Sequence, residues 1–187
     1  MIIALAGRRI DAPDATISRF PLRNVAAVRE RLHAFFVDHK VTALVCSVAC
    51  GADLLALDVA GELGIWRRIV FPFKQDRFRA TSVVDRPGEW GTLFDRIIRD
   101  VQAEGKFVIL SEDGEDDVIF ATANKVILNE ALLLAHEKSH EQPEKLVQAV
   151  LVWDGLPRGE SDLTAHFASE ALARGLAITE IATMYKD

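Results

Sequence analysis

The sequence predicts an α/β fold: a single Rossmann-like three-layer domain on a mostly parallel sheet of about six strands. Three observations carry this. Short, near-continuously apolar segments such as Ile2–Ala6, Val41–Cys46 and Leu146–Trp153 recur along the chain. Strands buried on both faces read that way, as they do in a parallel sheet covered by helices. Helix-period segments stand between them. The length, 187 residues with 50% hydrophobic, fits one domain with a sizeable core. No repeat or low-complexity linker divides it, so residues 1–187 are read as one domain.

Ile2–Ala6 is the first strand, and a polar loop runs from Gly7 to Pro21. Leu22–His39 is an amphipathic helix with Val25, Val28, Leu32, Phe35 and Phe36 on one face. Val41–Cys46 is the second strand. Ala52–Gly64 is the next helix, with Gly64 closing its C-terminus. Arg68–Pro72 is the third strand, Arg77–Val84 a short helix and Glu89–Glu104 a longer one. Phe107–Leu110 is the fourth strand, followed by the charged loop S-E-D-G-E-D-D and a helix over Phe120–His136. Leu146–Trp153 is the fifth strand, Leu163–Arg174 a helix and Leu176–Ile181 the sixth strand. Trp66, Trp90 and Trp153 read as packing residues.

No apolar run reaches the roughly 18 residues of a membrane helix, and the start M-I-I-A-L-A-G lacks a basic segment ahead of its apolar run. Cys46 and Cys50 flank a tight turn that a mutual disulfide would distort, so both are read as reduced and the protein as cytoplasmic. The net charge is −6 but uneven: residues 1–100 hold 15 Lys/Arg against 12 Asp/Glu, and residues 101–187 hold 7 against 16. Overall acidity argues against a nucleic-acid groove and leaves room for a local arginine cluster in the first half.

In open parallel sheets, ligands bind outside the carboxyl ends of the strands, where the strand order reverses. The loops to read are therefore Gly7–Pro21, Ser47–Asp53, Phe73–Arg79, Ser111–Asp117 and Asp154–Asp162. The stretch S-V-A-C-G-A-D joins a strand to a helix through small residues, which aims backbone N–H groups beyond the strand end. Cys50, Gly51, Ala52 and Asp53 then form an anion mouth, with Asp53 on a ribose hydroxyl or orienting an arginine. The plainer reading is a tight turn with Asp53 as helix cap. In A-G-R-R-I-D-A-P, Gly7 ends the strand and Arg8, Arg9 and Asp11 stand at its mouth. The arginines either meet phosphate or pair with Asp11 and Asp14. After the third strand, Lys74, Arg77 and Arg79 supply positive charge, with Arg79 singled out as a contact. After the fifth, Asp154, Gly155, Gly159 and Thr164 form a second phosphate mouth, or a surface turn capped by Asp162. Arg8, Arg79 and Asp53 pointing away from a common cleft would count heavily against a nucleotide site built from these loops.

Two other features are set aside. H-E-K-S-H, His136 to His140, matches a zinc-protease spacing, but Lys138 lies inside it and it closes an apolar helix without a third ligand, so no metal site is assigned. Asn124 interrupts an apolar helix and is read as satisfying a neighbouring backbone group. No motif calls for a cofactor.

Together, A-L-A-G-R-R-I-D-A-P, A-C-G-A-D-L-L, I-V-F-P-F, A-N-K-V-I-L and V-W-D-G … T-A-H-F resemble the SLOG superfamily over nearly the whole chain. These Rossmann-like proteins include lonely-guy type phosphoribohydrolases and DNA-processing-protein-A domains. The likeness is greatest to a branch sometimes fused to tetratricopeptide or signalling modules. It implies binding or sensing of a nucleotide or nucleotide-derived small molecule, and a homodimer paired through helices flanking the sheet. The departures are informative. That branch often has histidine where Arg8 stands, and G-G-T-A-D where this chain has Asp162–His166. The hydrolases carry P-G-G-x-G-T-x-x-E, yet the residue three past Thr164 is Phe167, and Glu170 lies a turn further along. The alternative activity, N-glycosidic hydrolysis or transfer, needs a carboxylate at the sugar, for which Asp11, Asp53 and Asp154 are the candidates. The expected site is one that holds a ligand, with phosphate on the Gly51–Asp53 mouth beside Arg8 or Arg9.

Overall fold

A computed structural model describes residues 1–102, 107–111, 117–139 and 141–185. Its frame is one six-stranded, all-parallel sheet. The strands are β1 (Ile2–Gly7), β2 (Ala43–Cys46), β3 (Trp66–Phe71), β4 (Phe107–Ile109), β5 (Val147–Trp153) and β6 (Ala177–Ala182), in the order β4-β3-β2-β1-β5-β6. The helices are α1 (Val25–Asp38), α2 (Ala52–Glu62), α3 (Gln75–Ser82), α4 (Trp90–Gln102), α5 (Asp117–Lys138) and α6 (Leu163–Ala173). The predicted α/β class and the alternation of elements therefore hold. The differences are at ends: a 3-10 turn at Leu22–Asn24 precedes α1, β2 begins at Ala43, and β3 begins at Trp66.

Strand periodicity divides the core in two. Ile3, Leu5, Leu44, Cys46, Ile69, Phe71, Val150 and Val152 face α1, α2 and α4, with the Phe71, Phe78, Phe94 and Phe107 rings meeting edge to face around Phe71. Their neighbours Ile2, Ala4, Ala43, Val45, Val70, Ala149 and Leu151 face α5 and α6. Because both faces are covered, the central strands β1, β2 and β5 read as near-continuous apolar runs.

The α5 helix corrects one expectation. It is long and apolar enough, by length and composition, to cross a membrane, with a mean hydropathy of 1.5 over its most apolar 18 residues. Thr122, Asn124, Lys125, Asn129 and Glu130 interrupt it, so no unbroken apolar run is visible in the sequence. In the fold it spans the second face of the sheet and buries Ala123, Ile127, Leu128, Ala131 and Ala135.

The chain winds from β1 through β4 in one direction, then returns through α5 to place β5 on the other side of β1. The direction reverses between β1 and β5, which opens a crevice between the loops leaving those strands. Both cysteines are free and buried, as the turn geometry requires. His136 is exposed on the last turn of α5, and His140 lies outside the described residues, as does most of the Ser111–Asp117 loop.

Candidate ligand-binding site

A cleft of about 500 Å³ opens at this reversal point. That falls within the roughly 300–1,000 Å³ range of small-molecule sites. Leu5, Ala6 and Gly7 of β1 and Ser47, Ala49 and Asp53 of the β2–α2 turn line it. Phe78, Phe120, Ile127 and Leu163 give it apolar surface, and Arg9, Arg19, Arg86 and Arg158 give it cationic surface. Ile10, Asp11, Ala12, Ala15, Thr16 and Ile17 also line it, and Ile17 is 64% exposed.

Arg8 organises the walls rather than the ligand. It is 2% exposed. Its Nε donates to Asp154 Oδ1 at 2.9 Å, Nη1 to Asp162 Oδ2 at 2.6 Å, and Nη2 to the Leu156 carbonyl at 2.5 Å. The guanidinium also lies over the Trp153 ring, 5.4 Å from its centroid. All three nitrogens of this planar fork are engaged by protein groups. Its main chain is equally engaged: Arg8 N–H donates to Val152 O at 2.8 Å, and Ala52 N–H donates to Arg8 O at 3.1 Å. Arg8 thus ties β1 to β5, α2 and the start of α6.

These bonds correct both expected helix mouths. At α2, the Arg8 carbonyl fills the N-terminus, and Gly51 (φ 95°) brings its backbone close enough that an added Cβ would sit 2.7 Å from that oxygen. Cys50 is buried, Ala52 is 1% exposed, and none of Cys50, Gly51 and Ala52 lines the cleft. Gly7 serves the same close approach: a Cβ there would meet Ala52 Cβ at 2.5 Å. At α6, Asp162 caps the helix by accepting from Thr164 N–H at 2.8 Å and Ala165 N–H at 3.0 Å. Asp154, Gly155 and Gly159 belong to the loop that holds Arg8 and do not line the cleft, whereas Thr164 does. Burial pushes the Asp162 carboxyl up, but the backbone N–H of Ala165 and the Arg8 guanidinium outweigh it and hold the group at about 2.

Arg79 turns away. Its Nε and Nη2 donate to the Asp95 carboxylate on α4, both at 2.8 Å, and it is absent from the cleft wall. Of the three residues a nucleotide site was expected to bring together, Arg8 and Asp53 reach the cleft and Arg79 does not.

Of the cleft's cationic residues, Arg8 and Arg9 are read from the sequence, whereas Arg19, Arg86 and Arg158 are passed over. On the β3 side, Arg9 and Arg86 both pair with Asp85, two cations on one carboxylate. Arg9 Nε and Arg86 Nε are buried without hydrogen-bond partners, as is Ser47 Oγ. On the β5 side, Arg8, Arg19 and Arg158 share Asp154 and Asp162, three cations on two carboxylates. Each group keeps one positive charge in excess. Arg158 in P-R-G follows β5, which is the sequence signal that could have found it, whereas Arg86 in D-R-P-G lies beyond α3 and carries no such signal. Asn124 also lines the cleft, and its Nδ2 donates to Leu163 O at 2.8 Å, the backbone role read from the sequence.

The three candidate carboxylates now differ. Asp11 accepts from Ser18 Oγ and from the backbone N–H groups of Arg19 and Phe20, closing its own loop. Asp154 is held between Arg8 and Arg19. Asp53, at the cleft wall and 7% exposed, accepts among the described residues only from Ala49 N–H, at 3.2 Å. Burial pushes its carboxyl up to about 7, against smaller pulls from Ala49 N–H and Arg9. Among the described residues, no three His, Cys, Asp or Glu side chains gather as metal ligands. No protein-family model and no curated protein sequence matches this chain.

Proposed function

We propose that this chain is a SLOG-type domain that binds or senses a nucleotide or nucleotide-derived small molecule. The observation that carries the reading is the cleft of about 500 Å³ at the β1/β5 reversal, flanked by two arginine clusters that each keep an uncompensated positive charge. The strands from β3 to β5 span three inter-strand spacings, roughly 14 Å, which suits a ligand with an anionic end and a flat apolar body. Phe78, Phe120, Ile127 and Leu163 supply the surface for that body. Phosphate would be held by guanidinium groups, Arg86 on one side or Arg158 on the other, because protein atoms fill both helix mouths. Arg158 is 55% exposed, which leaves it room to turn toward a ligand. Isothermal titration against a panel of nucleoside mono-, di- and triphosphates tests the proposal. Binding weakened at least tenfold in Arg86→Ala or Arg158→Ala supports it, and no binding by folded protein across the panel sinks it.

A second reading, cleavage or transfer at an N-glycosidic bond, is favoured by one observation: Asp53 is a cleft carboxyl not committed to a salt bridge. Free base released from nucleoside monophosphates supports that reading, and no release across the panel retires it.

A further inference from the structure

Asp53 is an unusual group for a cleft wall. It is 93% buried by area, since only 7% is exposed, yet a carboxylate can accept about four hydrogen bonds and this one receives a single long bond. A buried acceptor left unfilled costs free energy unless a partner arrives. The surrounding groups do not supply one. From the β1 loop, Arg9 pairs with Asp85 through Nη2, and its partnerless Nε makes no hydrogen bond to Asp53, on which Arg9 acts only as a nearby charge. From β2, Cys46 offers a buried thiol whose pKa is pushed up by burial and by Asp53 itself. From the turn between, Ser47 Oγ is buried with no partner of its own. The remaining acceptor positions of Asp53 and the Ser47 hydroxyl therefore belong to the cleft.

Resting on the nucleotide reading above, we infer that Asp53 is the specificity-determining acceptor of this site, taking a pair of hydrogen-bond donors from the ligand. Two parts of a nucleotide carry such a pair: the vicinal hydroxyls of ribose, and the N–H and amino edge of a guanine-type base. An adenine-type edge offers one donor beside an acceptor and does not satisfy an ionised carboxylate. Donors hold Asp53 ionised, so binding expels the proton that the empty site retains near neutrality. Below pH 7 the ligand binds more weakly as the pH falls, and each binding event releases part of a proton.

The test is calorimetric titration of the full chain with guanosine monophosphate at pH 6.5, in two buffers of low and high ionisation enthalpy. A group at about 7 is roughly three-quarters protonated there, so about 0.7 proton is released per ligand. Asp53→Asn is the neutral isostere of the protonated side chain and retains an acceptor for Ala49 N–H. The difference between wild type and Asp53→Asn separates Asp53 from titration of the nucleotide phosphate. The inference expects Asp53→Asn to abolish that share of proton release and to weaken binding more than tenfold. The 2′,3′-dideoxy nucleotide and adenosine monophosphate distinguish the donor source: loss of proton release with the first assigns the ribose, and with the second the base edge. Guanosine monophosphate binding equally well to wild type and Asp53→Asn, with equal proton release, overturns this inference and leaves the nucleotide reading standing. Absence of binding by every nucleotide overturns both.

Discussion

Arg8 and Asp53 show how differently two charged residues at one cleft behave. Removing a partner from a buried ion pair costs about 3–5 kcal/mol, because the remaining charge is stranded. Asp162→Ala takes one of two carboxylates from buried Arg8, which keeps Asp154, and also uncaps α6. It should lower the melting temperature by roughly 10 °C, at about 2–4 °C per kcal/mol for a chain of this size. Asp162 is held at about 2, below its unfolded value of 3.8, so its stabilisation is present above about pH 4 and lost as pH falls toward 2. The gap between wild type and Asp162→Ala should therefore shrink across that window in thermal melts. Asp53 has the opposite sign. Its folded value of about 7 lies above 3.8, so the folded state holds a proton that the unfolded state has released between those values. Stability from this group is full below about pH 4 and is lost as pH rises toward 7, by up to about 4 kcal/mol. Asp53→Asn should remove that slope and melt higher than wild type at pH 8; an unchanged slope would mean that Asp53 is ordinary. The sequence displayed both residues but not their roles. The Arg8 partners lie 146 and 154 residues away, and no local spacing reports such a contact.

Elements were far more legible than side-chain partners, because strand and helix periodicity is local. Trp66 and Arg67 open β3 although the arginine pair hides the strand's start, since Trp66 packs on the core and Arg67 folds back to donate to the Leu57 carbonyl. The strand–turn–helix at Val41–Leu57 was read correctly as geometry, but its open mouth was not, because the plug is a carbonyl from another loop. That plug is testable through two glycines that both have positive φ. Gly64→Ala meets nothing within 4 Å, so it costs only the left-handed backbone strain, about 1 kcal/mol. Gly51→Ala adds a contact of 2.7 Å with Arg8 O and 2.9 Å with Ile10 N, both backbone atoms. It should cost about 2 kcal/mol more than Gly64→Ala in urea unfolding, with the midpoint shifted and the slope unchanged. Equal costs at the two positions would show that the β1 loop yields easily and that the mouth can reopen.

At the scale of the whole molecule, the cleft exists because the chain reverses direction beside β1, and that alternation was visible before any coordinate. Its walls come from segments distant in sequence: Arg9 and the Asp11–Phe20 loop, the β2–α2 turn, Arg86 beyond α3, the first half of α5, and Arg158 ahead of α6. A ligand touching both arginine clusters bridges the β3 side to the β5 side, and unfolding either side then requires releasing it. Binding to the folded state alone stabilises by RT ln(1 + [L]/Kd), about 2.7 kcal/mol at a hundredfold excess over Kd. For a chain of this length that corresponds to a rise of roughly 5–10 °C in melting temperature. The shift should shrink when salt is raised from about 0.05 to 0.5 M, because partly exposed Arg86 and Arg158 are screened. It should also shrink in Arg86→Ala and in Arg158→Ala separately. A ligand whose shift survives either substitution undiminished is held at one end only, which would make the cleft a one-ended anion site with an empty far wall.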